Sequence, residues 1–285
     1  MSIKLAKKTG FCFGVKRAIG MAESELRKRG PMCSLGSIIH NKQVVDRLAV
    51  KGLKVIGSVD EMTGKTLLIS SHGLSPKVKK NILKKAIAVV DTTCPFVLTA
   101  QRIAGELGAE GYTVIIVGDA NHPEVKALVD FVSGEVFVVR DAREAGSLKI
   151  KQNAKISVIS QTTQSTSNFI KVVKAILGFG PKELRVFNTI CKDAEERQEY
   201  AKDLAATVDL MLIVGGRHSA NTRRLLEVCR EVLNKSYLVE TEDEIAKEWF
   251  KNVKDVGIAS GASTPGWIIK KVADRARTIC ADSKN

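Results

Sequence analysis

Three of the six cysteines in this chain share their surroundings. Cys12 lies in Thr-Gly-Phe-Cys-Phe-Gly-Val-Lys-Arg-Ala, residues 9–18, between two phenylalanines and just ahead of an expected helix. A thiol set there, inside an apolar collar, faces the amides and the positive end of that helix. This favours the thiolate and suits a metal ligand or a nucleophile. A lone cysteine beside phenylalanine is ordinarily a small core residue, but here the arrangement recurs. His40 follows Cys12 by 28 residues, His122 follows Cys94 by 28, and His218 follows Cys191 by 27. A second set of polar loops reads Ser70-Ser71-His72-Gly73, Ser160-Gln161-Thr162-Thr163 and Ser260-Gly261-Ala262-Ser263. The distances from the same cysteines to His72, Thr162 and Ser263 are 60, 68 and 72 residues. Each loop follows an expected strand, and in parallel sheets such strand ends gather on the carboxyl edge where ligands bind.

Three thiolates brought together without a fourth protein ligand suit zinc with an open position, or an iron–sulfur cluster whose last metal is left for substrate. Cys33, Cys229 and Cys280 have no counterparts in the repeat and read as structural thiols. The nearby loops suit a phosphate or diphosphate. His40-Asn41 and His72-Gly73 offer an imidazole beside a helix start, while Ser219-Ala220-Asn221 and Gly261-Ala262-Ser263 offer hydroxyls, an amide and backbone N–H donors. His122-Pro123-Glu124 sets a carboxyl next to an imidazole, a pair able to relay a proton, on what also reads as an ordinary helix N-terminus.

The elements that must position these groups alternate along the chain. Helices are expected over 15–29, 97–110 and 194–206, each soon after a cysteine, and others near 42–51, 76–86, 124–131, 166–177, 222–233 and 265–278. Short apolar runs between them, most containing β-branched residues, such as 32–35, 66–70, 113–117, 156–159, 210–214 and 256–258, supply strands. Strands and helices alternating at this length imply right-handed crossovers and mostly parallel sheets. The fold expected is α/β, with three pseudo-repeated units over residues 13–93, 94–190 and 191–281 and with residues 1–12 packing on the third.

Composition bounds the function. The chain has 285 residues, 44% of them hydrophobic, enough for packed cores. Its 45 basic and 31 acidic residues leave a net charge of +14, which attracts anionic partners in general. Aromatics are only 5%, and the lysines over 77–85 alternate with Val, Ile and Leu at helical spacing, a solvated helix face; no nucleic-acid partner is expected. No stretch approaches the roughly 18 to 20 apolar residues of a membrane span. The expectation is a cytoplasmic protein without a membrane partner, in a reducing compartment where thiols stay reduced.

The combined motifs resemble one family. They are Gly10-Phe-Cys-Phe-Gly-Val15, Ile39-His-Asn41, Ser71-His-Gly73, Asp91-Thr-Thr-Cys-Pro95, Gly118 with His122-Pro-Glu124, Gln161-Thr-Thr163, Asn188-Thr-Ile-Cys191 with Arg197-Gln198, and Gly261-Ala-Ser-Thr-Pro265. In this order, over nearly the whole chain, they resemble the 4-hydroxy-3-methylbut-2-enyl diphosphate reductases, the IspH or LytB family. The resemblance implies three α/β units around a central iron–sulfur site, with Cys12, Cys94 and Cys191 holding a 4Fe-4S cluster whose fourth iron is open. It implies diphosphate contacts from His40, His72, His122, Thr163, Ser219, Ala220, Asn221 and Ser263. Glu124 would donate protons, supported by His122, Thr162 and Thr163, and a ferredoxin or flavodoxin would supply electrons. Two features depart from the family pattern. Ala220 stands where many relatives carry a second serine or similar polar residue, so only its backbone N–H can serve, and Lys-Asp-Ala-Glu-Glu-Arg after Cys191 lacks a common Ala-Thr pair. Two other classes compete. A zinc hydrolase on the same cysteines would be colourless and indifferent to reductant, and a basic binding module would bind nucleic acid with steep salt dependence.

Overall fold

The computed structural model describes residues 2–84 and 87–282. The chain divides into two compact units: a middle unit of Arg17–Ile39 and Arg47–Cys191, and a terminal unit of Met1–Lys16, His40–Asp46 and Lys192–Asn285.

From the start of the chain, β1 (Ser2–Leu5) leads through the Cys12 loop into α1 (Phe13–Arg29). Then come β2 (Met32–Leu35), α2 (Lys42–Val50), β3 (Leu53–Ile56), β4 (Thr66–Ile69), α3 (Pro76–Leu83) and β5 (Ala88–Asp91). In the middle unit, β2 to β5 form a parallel sheet in the order β3-β2-β4-β5. Ser75 caps α3 by accepting the Val78 N–H at 3.3 Å, and Pro76 presets its first turn. The helix expected over 76–86 is described to Leu83 with Lys84 as its cap; residues 85 and 86 lie outside the described residues.

The middle unit continues with α4 (Pro95–Ala109), β6 (Thr113–Val117), α5 (Pro123–Phe131), β7 (Val136–Val139), a short α6 (Ala142–Gly146), β8 (Lys155–Ser160), α7 (Thr166–Leu177) and β9 (Glu183–Val186). Its second parallel sheet runs β7-β6-β8-β9. All five residues of β6, Thr-Val-Ile-Ile-Val, are buried, as in a strand covered by helices on both faces. Ile115 and Val117 join Phe169 and Val172 in one cluster, and Val114 and Ile116 join Ala100 and Leu128 in another.

The terminal unit holds α8 (Lys192–Ala205), β10 (Leu210–Val214), α9 (Ala220–Arg230), β11 (Ser236–Val239), β12 (Asp255–Ser260) and α10 (Gly266–Asp282). Its parallel sheet runs β1-β12-β10-β11, with Ser2 opposite Asp255 and Leu5 opposite Ile258. Three small all-parallel sheets flanked by helices give the α/β class that the alternation implied.

The helices after the cysteines start two residues earlier than periodicity suggests, at Phe13, Pro95 and Lys192. Periodicity registers only from the first inward residue, and Val15, Val97 and Ala194 are those buried positions. The sequence also passes over β1, which is largely exposed, and α6, five residues held by Asp141 accepting the N–H groups of Arg143 and Glu144.

Candidate active site

Each recurrent cysteine follows an edge strand and immediately precedes a helix: Cys12 between β1 and α1, Cys94 between β5 and α4, Cys191 between β9 and α8. The backbone N–H of each donates to a carbonyl in the loop after the neighbouring inner strand. Cys12 donates to Ala262 at 3.0 Å, Cys94 to Ser71 at 3.0 Å and Cys191 to Thr162 at 2.8 Å. These are the polar loops of the repeat. Each holds the cysteine that comes after it in the chain, and the last holds the first, whereas the sequence offsets pair each loop with the cysteine before it.

The Cys12 Sγ accepts the Val15 N–H at 3.4 Å, so the thiol faces helix amides as its position predicts. The expected apolar collar does not form on both sides, because Phe13 is 63% exposed. Val15 and Ala18 turn inward on α1, and Phe13, two residues before Val15, lies on the opposite side of the helix. Burial pushes the Cys94 thiol above its ordinary pKa, the amides of Phe96 and Val97 oppose the rise, and the charges of Cys191 and Glu124 add to it. Cys94, Cys191 and Glu124 thus share one electrostatic neighbourhood in the middle unit. No disulfide joins the described cysteines, and Cys33, Cys229 and Cys280 are buried.

Glu124 lies in the first turn of α5 and is 2% exposed. Its Oε1 accepts the Thr162 N–H at 2.6 Å and its Oε2 accepts the Thr162 hydroxyl at 2.9 Å. Burial pushes the carboxyl up to about 7 against both of those bonds. His122 caps α5, and its Nδ1 accepts the Glu124 backbone N–H at 3.2 Å. Sequence proximity suggested an imidazole–carboxyl pair. The cap instead engages the Glu124 backbone, because Pro123 starts the helix at once and leaves His122 outside it. The His122 ring meets His72 edge to face, centroids 5.4 Å apart, and His72 Nδ1 lies 3.4 Å from the Ser70 hydroxyl. Gly73, at φ +77°, takes a left-handed conformation that any side chain would strain. Thr163, grouped with Thr162 in the sequence, has its hydroxyl bonded by Gln161 Nε2 at 3.1 Å. Gln161 also accepts the Asp119 N–H at 3.1 Å and so orders this edge of the site; the repeated loop and the Gln161-Thr-Thr163 motif marked it without giving it a role.

In the terminal unit the carbonyl of His40 accepts the Ser263 hydroxyl at 3.0 Å. A Cβ at Gly216 would approach that same carbonyl to 2.6 Å, so position 216 requires glycine. Burial, then the charges of Arg223 and His218, hold the His40 imidazole below its ordinary pKa. Asn41 Oδ1 accepts the Val44 N–H at 3.1 Å and caps α2. Ser219 caps α9 by accepting the Thr222 N–H at 3.3 Å. Asn221 is 4% exposed, and neither Oδ1 nor Nδ2 has a hydrogen-bond partner; the buried Thr222 hydroxyl also lacks one. Unsatisfied buried polar groups at a helix N-terminus prepare a place for a polar, anionic ligand. Ala220, half-buried, opens α9 and offers its backbone N–H. His218, which the repeat sets 27 residues after Cys191, is exposed.

The sequence model of the family described as LytB protein matches residues 3–277. A 4-hydroxy-3-methylbut-2-enyl diphosphate reductase of Geobacter metallireducens is 47% identical over 280 residues, covering 98% of each chain. One of Campylobacter hominis is 44% identical, over 98% of this chain and all of its own. A solved (E)-4-hydroxy-3-methyl-but-2-enyl diphosphate reductase, described as the terminal enzyme of the non-mevalonate pathway, matches with TM-score 0.68 and 40% identity, covering 98% of this chain and 100% of its own. The solved E-1-hydroxy-2-methyl-but-2-enyl-4-diphosphate reductase from Plasmodium falciparum matches with TM-score 0.90 at 26% identity, over 95% of this chain and 86% of its own.

Proposed function

The chain belongs to the LytB family, and we propose on that premise that it reduces (E)-4-hydroxy-3-methylbut-2-enyl diphosphate. With two electrons and two protons, the C4–OH bond breaks, the hydroxyl leaves as water, and isopentenyl or dimethylallyl diphosphate forms, the last step of the non-mevalonate isoprenoid pathway. The observation that carries the reading is the double hold of Thr162. Its N–H and hydroxyl bind the Glu124 carboxyl and its carbonyl accepts the Cys191 N–H, so the acid and the cysteine proposed as a cluster ligand are registered on one residue.

The donor set fits an iron–sulfur group: three thiols, each ahead of a helix whose amides favour the thiolate. Cys12, Cys94 and Cys191 would hold a 4Fe-4S cluster with one iron open, which when bound supplies a Lewis acid and electrons one at a time. Glu124, buried and poised near neutrality, protonates the departing hydroxyl. Thr162 aims the carboxyl, and the cap bond at Nδ1 leaves the His122 Nε2 as the donor of its ring. A second proton delivered to either end of the allylic skeleton gives the two products. His40, His72, His122, Thr163, Ser219, Asn221, Ser263 and the Ala220 N–H grip the diphosphate, helped by the positive end of α9. Electrons come from a ferredoxin or flavodoxin in the cytoplasm. Among the described residues no helix is long and apolar enough to cross a membrane.

Asn221 separates binding from folding. Asn221→Leu is expected to raise KM about tenfold or more while stabilising the substrate-free protein by roughly 1 kcal/mol, because it removes a buried polar group that lacks partners. Steady-state kinetics and denaturant titration of the variant check both signs. The activity itself is read anaerobically as oxidation of reduced methyl viologen on adding substrate, with both five-carbon diphosphates recovered. Phosphate release without viologen oxidation would contradict the reading.

A further inference from the structure

A groove of about 450 Å³ opens in the middle unit between α3 and α4. Its centre is apolar: Leu83 is 67% exposed and Leu98 45% exposed, on facing helices. Its rim carries Lys79 and Lys80 from α3 and Arg102 from α4, with Asp91 on the wall beside Lys79 and Glu106 paired to Arg102 at 2.7 Å. The helix α3, Pro-Lys-Val-Lys-Lys-Asn-Ile-Leu, carries no acidic residue, and Lys80 has no acidic partner among the described residues. An apolar centre inside a charged rim is the anatomy of a transient protein interface.

One wall of this groove reaches the cysteine edge. Thr93 lines it and is the residue before Cys94, about 3.8 Å away between Cα atoms. Asp91 Oδ1 accepts the Thr93 N–H at 3.0 Å, and Asp91 Oδ2 pairs with Lys79 at 3.2 Å, so the basic rim is tied to the loop that sets Cys94. A carrier seated on α3 and α4 would thus deliver charge beside a cysteine that the reductase reading makes a cluster ligand.

We propose that this groove docks an acidic, low-potential electron-carrier protein. The inference rests on the reductase reading and adds where the electrons enter. The carrier is oxidised by one electron per encounter, two encounters serve each turnover, and the electrons go into the C–O bond that breaks, with protons supplied by the enzyme and water. Charge complementarity selects the occupant: Lys80 stands on the rim without an ion pair among the described residues, Lys79 and Arg102 flank it as ion-paired cations, and on a chain of net charge +14 an acidic partner gains on-rate.

The test uses the whole enzyme, reduced either by dithionite or by a purified bacterial flavodoxin as the probe. For Lys80→Glu combined with Arg102→Ser, and separately for Leu98→Gln, dithionite-driven turnover is expected to match the parent. Flavodoxin-driven kcat/KM is expected to fall about tenfold or more, and the charge variant's rate to depend less steeply on ionic strength. Lys171→Glu on α7, outside the groove, is expected to leave both rates unchanged. Flavodoxin-driven kcat/KM of the groove variants within about twofold of the parent, with the same salt slope, would overturn the docking surface. Absence of dithionite-driven turnover in the parent would instead overturn the reductase reading.

Discussion

Glu124→Gln is expected to take up iron and sulfide like the parent and yet turn over substrate roughly 10²- to 10⁴-fold more slowly, the range lost with a positioned general acid. The amide keeps the shape and one oxygen to accept the Thr162 N–H; what it loses is the transferable proton. With burial holding the carboxyl at about 7, the parent's rate should fall as pH climbs through neutrality, while the variant's residual rate stays flat across the same window. Stability carries the opposite signature. The folded-state pKa lies above the ordinary 4.5, so the neutral acid's contribution is complete below that value and is lost as pH rises through about 7, about 3 kcal/mol in all. Glu124→Gln should therefore match the parent in denaturant at about pH 4 and exceed it at about pH 8. A variant that turns over at the parent's rate with saturating reductant would remove Glu124 from the mechanism.

Cys12→Ser is expected to be iron-poor and pale, with turnover at background, because a serine hydroxyl stays protonated where a thiolate ligates. Cys229→Ala provides the contrast. Burial alone pushes the Cys229 thiol up to about 12, and the side chain is wholly enclosed, so it stays a neutral core group. Its loss should lower stability and leave the iron content intact. Iron and sulfide assays with visible spectra on both variants decide the matter; full iron and full rate in Cys12→Ser would exclude Cys12 as a ligand.

Much of this was legible in the chain because buried parallel strands read as near-continuous apolar runs, as β6, Thr-Val-Ile-Ile-Val, and β10, Leu-Met-Leu-Ile-Val, do. Recurrence of a cysteine ahead of a helix pointed to the thiols, and polar residues at strand ends pointed to the loops. The assignment of loop to cysteine was not legible, because it depends on lateral pairing: β1 is an exposed four-residue edge whose place beside β12 brings Ala262 to Cys12. Sequence spacing carries no record of such a pairing. The division between Thr162 and Thr163 was equally hidden, since only the backbone direction after β8 decides which of them meets Glu124. Ser219 and Asn221 read alike as polar groups of one loop; Ser219 takes the bond to Thr222, and Asn221 is left buried and without a partner.

The most direct test of the central claim is anaerobic iron and acid-labile sulfide content of the purified chain, with its visible spectrum before and after dithionite. The three-cysteine reading predicts a brown protein with about four irons and four sulfides per chain, bleached on reduction. A colourless protein that carries zinc and takes up no iron or sulfide on reconstitution would contradict it and favour a zinc hydrolase on the same cysteines.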